Sequence, residues 1–221
     1  LIGGSAIPDG LLARANSAGL PLCKSYGLTE MATQVCTTRP GDAFEKVFRT
    51  SGKPLAKGTV RLAPDGEICV GGATRFLGYW RDGGIRAAFR EDGFFATGDL
   101  GYWDEDGYLI VAGRKDNRFI AGGENIQPEE VEKALGWVPH VARSLVVPVP
   151  HPAFGTTPVA FIEMKPGAKL DQQAIRNILG KVLPKYKIPR HFLAWPENGD
   201  SDEKPDRKAF GQIAARLVGA E

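Results

Sequence analysis

Residues 113–132, reading GRKDNRFIAGGENIQPEEVE, limit what this chain can fold into more than any other stretch. A charged turn leads into the short apolar piece Phe119-Ile120-Ala121, then adjacent Gly122 and Gly123, then a helix start. Pro128 suits the first helical position, where its missing N–H is one of the unsatisfied donors anyway. Glu129 and Glu130 suit the positive end of the helix dipole, and Val131 and Leu135 fall four apart on one face. Gly122 and Gly123 allow positive φ or close approach of a ligand. Taken alone, the stretch is a strand–turn–helix joint. It marks a boundary at residues 114–116, where a β-rich block gives way to a small α+β domain.

Upstream, residues 9–18 read as a short helix carrying Leu11, Leu12 and Ala15, and residues 21–26 as a strand ending at Tyr26-Gly27. From 46 to 112 the pattern is short β segments separated by Gly and Pro. Pro64-Asp65-Gly66 and Glu105-Asp106-Gly107 each predict a hairpin, joining 59–62 to 67–70 and 101–104 to 108–111. The acidic run at 104–106 lacks the spacing and the distal Glu of a calcium loop, so it is read as a turn. Beyond residue 113 the predicted order is αββαβα. A helix spans 128–135, and near-continuous apolar strands span 142–149 and 159–165. A helix capped by Asp171 carries Ile175, Ile178, Leu179 and Val182, followed by a strand at 190–195. A polar loop then leads to a last helix with Phe210, Ile213 and Leu217.

A chain of 221 residues is long enough for one large or two modest domains, each with a real core. Hydrophobic residues make up 43% and charged residues 24%, which is ordinary for a globular protein. The net charge is +2, with 12 basic and 13 acidic side chains in residues 1–113 and 16 and 13 in 114–221, so neither half suggests nucleic acid or an anionic membrane. Three widely spaced cysteines, Cys23, Cys36 and Cys69, form neither a disulfide framework nor a zinc pattern, which suits a reducing, cytoplasmic setting. No apolar run approaches the ~18 residues of a membrane span. The chain opens on Leu1-Ile2-Gly3-Gly4-Ser5 without an initiator Met and inside an apolar run. The expectation is therefore the C-terminal portion of a longer protein, inactive on its own.

Four motifs in order, Tyr26-Gly27-Leu28-Thr29-Glu30, Thr97-Gly98-Asp99, the Gly113–Gly123 region and Lys204-Pro205-Asp206-Arg207, carry a resemblance to the adenylate-forming acyl-CoA ligases. The resemblance covers nearly the whole chain. It implies an α+β fold, with residues 1–113 as the C-terminal, β-rich part of the large AMP-binding domain and 114–221 as the small mobile domain. It also implies a reaction. ATP and a small-molecule carboxylic acid form an acyl adenylate with release of pyrophosphate, and the thiol of CoA then takes the acyl group. Such chemistry needs positioning and charge stabilisation more than covalent help.

By the same resemblance, Thr29 bonds the α-phosphate and Glu30 helps hold Mg²⁺, a hard cation that prefers oxygen ligands. The bland reading is that both cap a turn. Asp99 takes the ribose hydroxyls with its two acceptor oxygens, or is an ordinary turn aspartate. Arg114 approaches ribose and phosphate, Tyr26 with Gly27 lines the adenine pocket, and Gly3, Gly4 and Ser5 pass near adenine and the acyl group. Lys204 is the late mobile lysine that bridges carboxylate and phosphate. Glu203 stands where the family usually has Gly, which leaves Lys208 as a rival. Asp116 matches the hinge, and Gly122 and Gly123 the channel for the pantetheine of CoA. His140, His151 and His191 are scattered, with no Ser or Cys at nucleophile spacing.

Finer likeness, at 25–35, 122–132 and 154–160, is to the o-succinylbenzoate–CoA ligases of menaquinone biosynthesis. Other acyl- or aryl-CoA ligases, carrier-loading adenylation enzymes and a non-catalytic folded module remain the alternatives.

Overall fold

The computed structural model describes residues 1–4, 7, 9–55, 59–196 and 205–219, which fall into two units, Leu1–Asp116 and Asn117–Glu221. In the first, helix α1 (Asp9–Ser17) is followed by β1 (Ser25–Leu28), β2 (Thr33–Thr37), helix α2 (Phe44–Arg49) and β3 (Lys53–Pro54). Then come β4 (Thr59–Leu62), β5 (Glu67–Gly71), the hairpin β6–β7 (Tyr79–Arg81 and Gly84–Arg86), β8 (Phe95–Trp103) and β9 (Leu109–Arg114). The strands form antiparallel sheets in the orders β1-β2-β3 and β4-β5-β8-β9.

All of β5 is buried, and its Ile68 and Val70 pack with Met31, Val35, Cys36, Phe95 and Leu109. Phe76 adds edge-on contacts to Phe89 and Phe95, with centroids 5.4 and 5.6 Å apart. Both hairpins expected from the Asp-Gly turns are present. Gly66 donates to the Ala63 carbonyl and Gly107 to the Asp104 carbonyl, with φ of +84° and +76° at the two glycines.

Two local expectations differ from the structure. The strand predicted at 21–26 forms its ladder only from Ser25, because Pro21 has no N–H and Lys24 contributes a single parallel bridge to Ile2. Helix α2 lies where only β segments were expected. Its apolar Phe44, Val47 and Phe48 do fall at helical spacing, but over fewer than two turns, too short a window for periodicity to register.

The second unit opens with a ribbon of β10 (Phe119–Ala121) and β11 (Glu124–Ile126), then helix α3 (Pro128–Leu135). Strands β12 (Val141–His151) and β13 (Gly155–Met164) pair antiparallel, helix α4 (Gln172–Leu179) crosses over, and β14 (His191–Ala194) returns parallel to β13. Helix α5 (Arg207–Val218) closes the chain. The sheet order is β12-β13-β14.

The near-continuous apolar runs of β12 and β13 follow from a sheet covered on both faces. Val146, Ala160, Ile162 and Phe192 pack with Val131 and Leu135 of α3 and Ile175 and Leu179 of α4. Leu145, Val147, Val159 and Phe161 face the other way, onto Phe210 and Ala214 of α5. The Asp171 carboxylate accepts from the Ala174 N–H, the N-cap read from sequence. Among the described residues no helix is long and apolar enough to cross a membrane.

Candidate active site

Three distant segments of the first unit converge on one carboxylate. Tyr26 from β1 donates its hydroxyl to Asp99 Oδ2 at 2.7 Å, and Arg114 from the end of β9 donates to Asp99 Oδ1 at 3.1 Å. Arg114 also donates to the Thr97 carbonyl at 2.9 Å, so one guanidinium braces the Thr97-Gly98-Asp99 turn at two points. The Asp99 side chain retains 18% exposure, and each oxygen keeps acceptor capacity after taking its single donor. Burial, reinforced by the Asp99 charge, pushes the Tyr26 phenol well above its ordinary range, so it stays a donor.

The turn itself has little freedom. Thr97 Oγ1 donates to the Ile68 carbonyl at 2.8 Å and accepts from the Asp99 N–H at 3.0 Å. Gly98 has φ +73°, and a Cβ there would meet Arg114 Nη2 at 2.7 Å. Its N–H donates to Glu67 Oε1 at 3.1 Å. Glu67 is 6% exposed, and its Oε2 accepts from Arg90 at 3.1 Å and from Lys115 at 3.0 Å. Sequence reasoning missed Glu67 and Lys115. Their partners lie 31 and 48 residues apart, and a Glu in a strand carries no local mark of burial.

The Tyr26-Gly27 step is also forced. Its pairing register shifts at that point, and a Cβ on Gly27 would sit 1.9 Å from the Thr33 carbonyl oxygen. Thr29 and Glu30 follow in a 3₁₀ turn that ends in left-handed backbone at Ala32 (φ 57°), with Thr33 at φ 136°. Two successive non-glycine residues at positive φ store strain of the kind found where a segment is held for function. Thr29 is exposed, and Glu30 accepts from the Tyr79 hydroxyl at 2.7 Å through Oε1. Gly3 lies against Ser25: a Cβ there would be 2.8 Å from the Ser25 carbonyl, so Gly3-Gly4 runs beside the strand that carries Tyr26. Ser5 lies outside the described residues.

The Gly122-Gly123 pair is the two-residue turn of the β10–β11 ribbon, with φ of 59° and 86°. Both central residues left-handed is the hairpin turn matched to strand twist, which is why two glycines stand together. The sequence reads as a joint whose helix starts at Pro128, as α3 does, with no strand expected between the glycines and that helix. The structure inserts β11 first, because three residues of ribbon are too few to show a period of two. Gly122 donates to the Phe154 carbonyl at 3.0 Å. Beside the turn lies a cleft of about 540 Å³ whose lining includes Gly122, Phe154, Arg176, Lys185 and Arg190. Arg190 sits over the Phe154 ring, 4.6 Å from its centroid.

Asp116 is exposed at the end of the first unit and takes Arg114 at 3.4 Å. Lys204, with Glu203, lies outside the described residues. Its rival Lys208 stands exposed in the first turn of α5, its N–H bonded to the N-cap Asp206 at 2.8 Å.

Residues 130–198 match the AMP-binding enzyme C-terminal domain. The 2-succinylbenzoate--CoA ligase of Geobacillus kaustophilus is 37% identical over 198 residues, covering 86% of this chain and 40% of the relative. A variant of E. coli MenE with bound OSB-AMS superposes with a TM-score of 0.81 at 32% identity, covering 97% of this chain and 45% of that one. The o-succinylbenzoate coenzyme A synthetase (MenE) of Bacillus subtilis, in complex with ATP and magnesium ion, superposes with a TM-score of 0.76 at 33% identity, covering 87% and 42%. The chain thus spans about 40% of the length of the curated relative it matches.

Proposed function

We propose that this chain is the C-terminal portion of an adenylate-forming ligase, an acid–CoA ligase acting on o-succinylbenzoate in menaquinone biosynthesis; the match of residues 130–198 to the AMP-binding enzyme C-terminal domain and the likeness to a 2-succinylbenzoate--CoA ligase and to MenE support this. The observation that carries the reading is the convergence of Tyr26, Asp99 and Arg114. A carboxylate oriented by a phenol and a guanidinium, yet able to accept more donors, suits the vicinal hydroxyls of a ribose. Arg114 then stands at the ribose–phosphate side and Tyr26 against the adenine, with Gly27, Gly3 and Gly4 along the same wall. The first unit is the end of the large domain and the second the small one, with Asp116, the last residue of the first unit, as the hinge.

The oxygens at Thr29 and Glu30 fit a phosphate and a hard divalent cation. Thr29 offers an exposed hydroxyl, and the Glu30 carboxylate is oriented by Tyr79. When bound, Mg²⁺ would neutralise phosphate charge. The protein's part is to hold the α-phosphate at Thr29 and present the acid to it, a task of positioning and charge stabilisation. Lys204 then completes charge stabilisation as pyrophosphate leaves. In the thioester step CoA enters past Gly122 and Gly123. The adjoining cleft supports this, since Lys185 and Arg190 offer cations to phosphate and Phe154 an apolar wall. The whole enzyme works in the cytoplasm without nucleic acid.

Acid-dependent ATP–pyrophosphate exchange by the full-length ligase, over a panel of acids that includes o-succinylbenzoate, tests this. Exchange confined to o-succinylbenzoate is the expected result. Exchange with another acid alone discards the substrate and keeps the chemistry, and no exchange with any acid discards both.

A further inference from the structure

We propose that Glu67 is a positioning residue that ties the nucleotide-binding turn to Lys115, so that the ribose site and the backbone beside the hinge are set by one carboxylate. The inference rests on the ribose reading of Asp99 given above. Glu67 lies in the fully buried strand β5, where an ionised carboxylate persists only if its oxygens are paired. Its pairing is divided by function. Oε1 accepts the Gly98 N–H at 3.1 Å, directly inside the Thr97–Asp99 turn. Oε2 accepts Arg90 at 3.1 Å and Lys115 at 3.0 Å. Lys115 is gripped a second time by Asp65 Oδ2 at 2.6 Å, and Asp65 Oδ1 accepts the Glu67 N–H at 3.2 Å.

The Lys115 ammonium bonds Asp65 and Glu67 rather than Asp99, yet it holds the carboxylate that orients Gly98. It also stands between Arg114, which bonds Asp99, and Asp116. Gly98 holds φ +73° with the Arg114 guanidinium packed against its Cα, so its N–H is directed at Glu67 by the same turn that Arg114 braces. Displacement of Lys115 releases one of the three donors on Glu67, and the carboxylate swings toward Arg90, loosening the Gly98 contact. The same linkage runs in reverse: a nucleotide that fixes Asp99 fixes Gly98, Glu67 and then Lys115.

The test is a kinetic cycle in the full-length ligase with Glu67→Gln, Lys115→Met, their double variant and Asp99→Asn, with Lys115→Arg as the conservative rescue. Each is monitored by thermal melting. Lys115→Met is expected to raise KM for ATP in pyrophosphate exchange about fivefold while KM for the acid is unchanged, the size of one hydrogen bond of ordinary net strength. Lys115→Arg should restore most of it. The double variant should be no worse than the worse single variant, because both break one chain of contacts. A Lys115→Met enzyme with unchanged KM for ATP, or a double variant whose losses multiply, overturns the coupling. Lys115 is partly exposed, so its variant remains informative if Glu67→Gln fails to fold. Asp99→Asn separates the two ideas. If Asp99→Asn leaves KM for ATP unchanged, the ribose reading fails. If it raises KM while Lys115→Met does not, only the coupling fails.

Discussion

Replacing Arg207 with Ala should destabilise the second unit by more than an exposed ion pair could account for. Arg207, at the start of α5, donates to Glu132 Oε1 at 2.5 Å and Oε2 at 2.9 Å, and to the Val146 carbonyl at 2.7 Å. Glu132 Oε1 in turn accepts the Val146 N–H at 2.7 Å. β12 is an edge strand, so this ion pair caps both main-chain groups of Val146 on the side away from β13. Truncation to Ala orphans the Val146 carbonyl and leaves Glu132 uncompensated. Breaking a fully buried pair costs about 3–5 kcal/mol; since these side chains retain 22% and 17% exposure, about 2–3 kcal/mol is expected. For a unit of roughly a hundred residues that corresponds to about 10 °C in Tm. The assay is a calorimetric melt of the 221-residue chain, with Arg207→Lys, Glu132→Ala and the double Ala variant alongside. Arg207→Lys should recover part of the loss, because an ammonium keeps the charge but not the two-pronged geometry. The double variant should fall short of the sum of the singles. A Tm within about 2 °C of wild type for Arg207→Ala would show that the pair behaves as an ordinary surface pair and would refute the reasoning.

Gly27→Ala should cost about 3 kcal/mol or more, read as a lowered urea midpoint, because its Cβ meets main chain rather than a movable side chain; a midpoint unchanged from wild type would contradict the close approach of Gly27 to Thr33. Of the three thiols, Cys23 should react first with a disulfide reagent at neutral pH. Cys36 is fully buried and burial pushes its thiol up to about 12, and burial raises Cys69 as well, so early labelling of Cys36 by peptide mapping would contradict the packing. Acid stability should carry the mark of Asp65, whose pKa the Lys115 hydrogen bond holds below the ordinary 3.8. A depressed carboxylate contributes fully above its unfolded pKa and loses that contribution as pH falls through the folded one. The difference in urea midpoint between wild type and Lys115→Met should therefore shrink as pH drops below about 4, and a constant difference from about pH 6 to about pH 3 would exclude this linkage.

What could be read from sequence was whatever a short window determines. Pro128 with Glu129 and Glu130 marks α3 to the residue, Asp171 caps α4, and the two Asp-Gly turns set their hairpins. What escaped is either very short, as α2 and β11 are, or made only by tertiary closure. Gly122-Gly123 looked like a joint and is a hairpin turn, because the strand after it has three residues. Tyr26, Asp99 and Arg114 were each named from motifs, but the bonds that join them cross up to 73 residues. Glu67 was passed over because nothing in Gly-Glu-Ile announces a buried carboxylate with three donors.

The parallel pairing of β13 with β14 has a consequence for how the chain is made. β13 can zip onto β12 as soon as both leave the ribosome, but its other edge waits for residues 191–194, on the far side of α4. During that interval Val159, Ala160, Phe161 and Ile162, all buried in the finished sheet, form an apolar strand with an open row of main-chain groups. Such an edge is a template for pairing with a neighbouring nascent chain. Any delay between the emergence of α4 and that of β14 prolongs that exposure, so slower decoding of residues 180–190 is expected to raise the aggregated fraction on expression, read by sedimentation of the lysate.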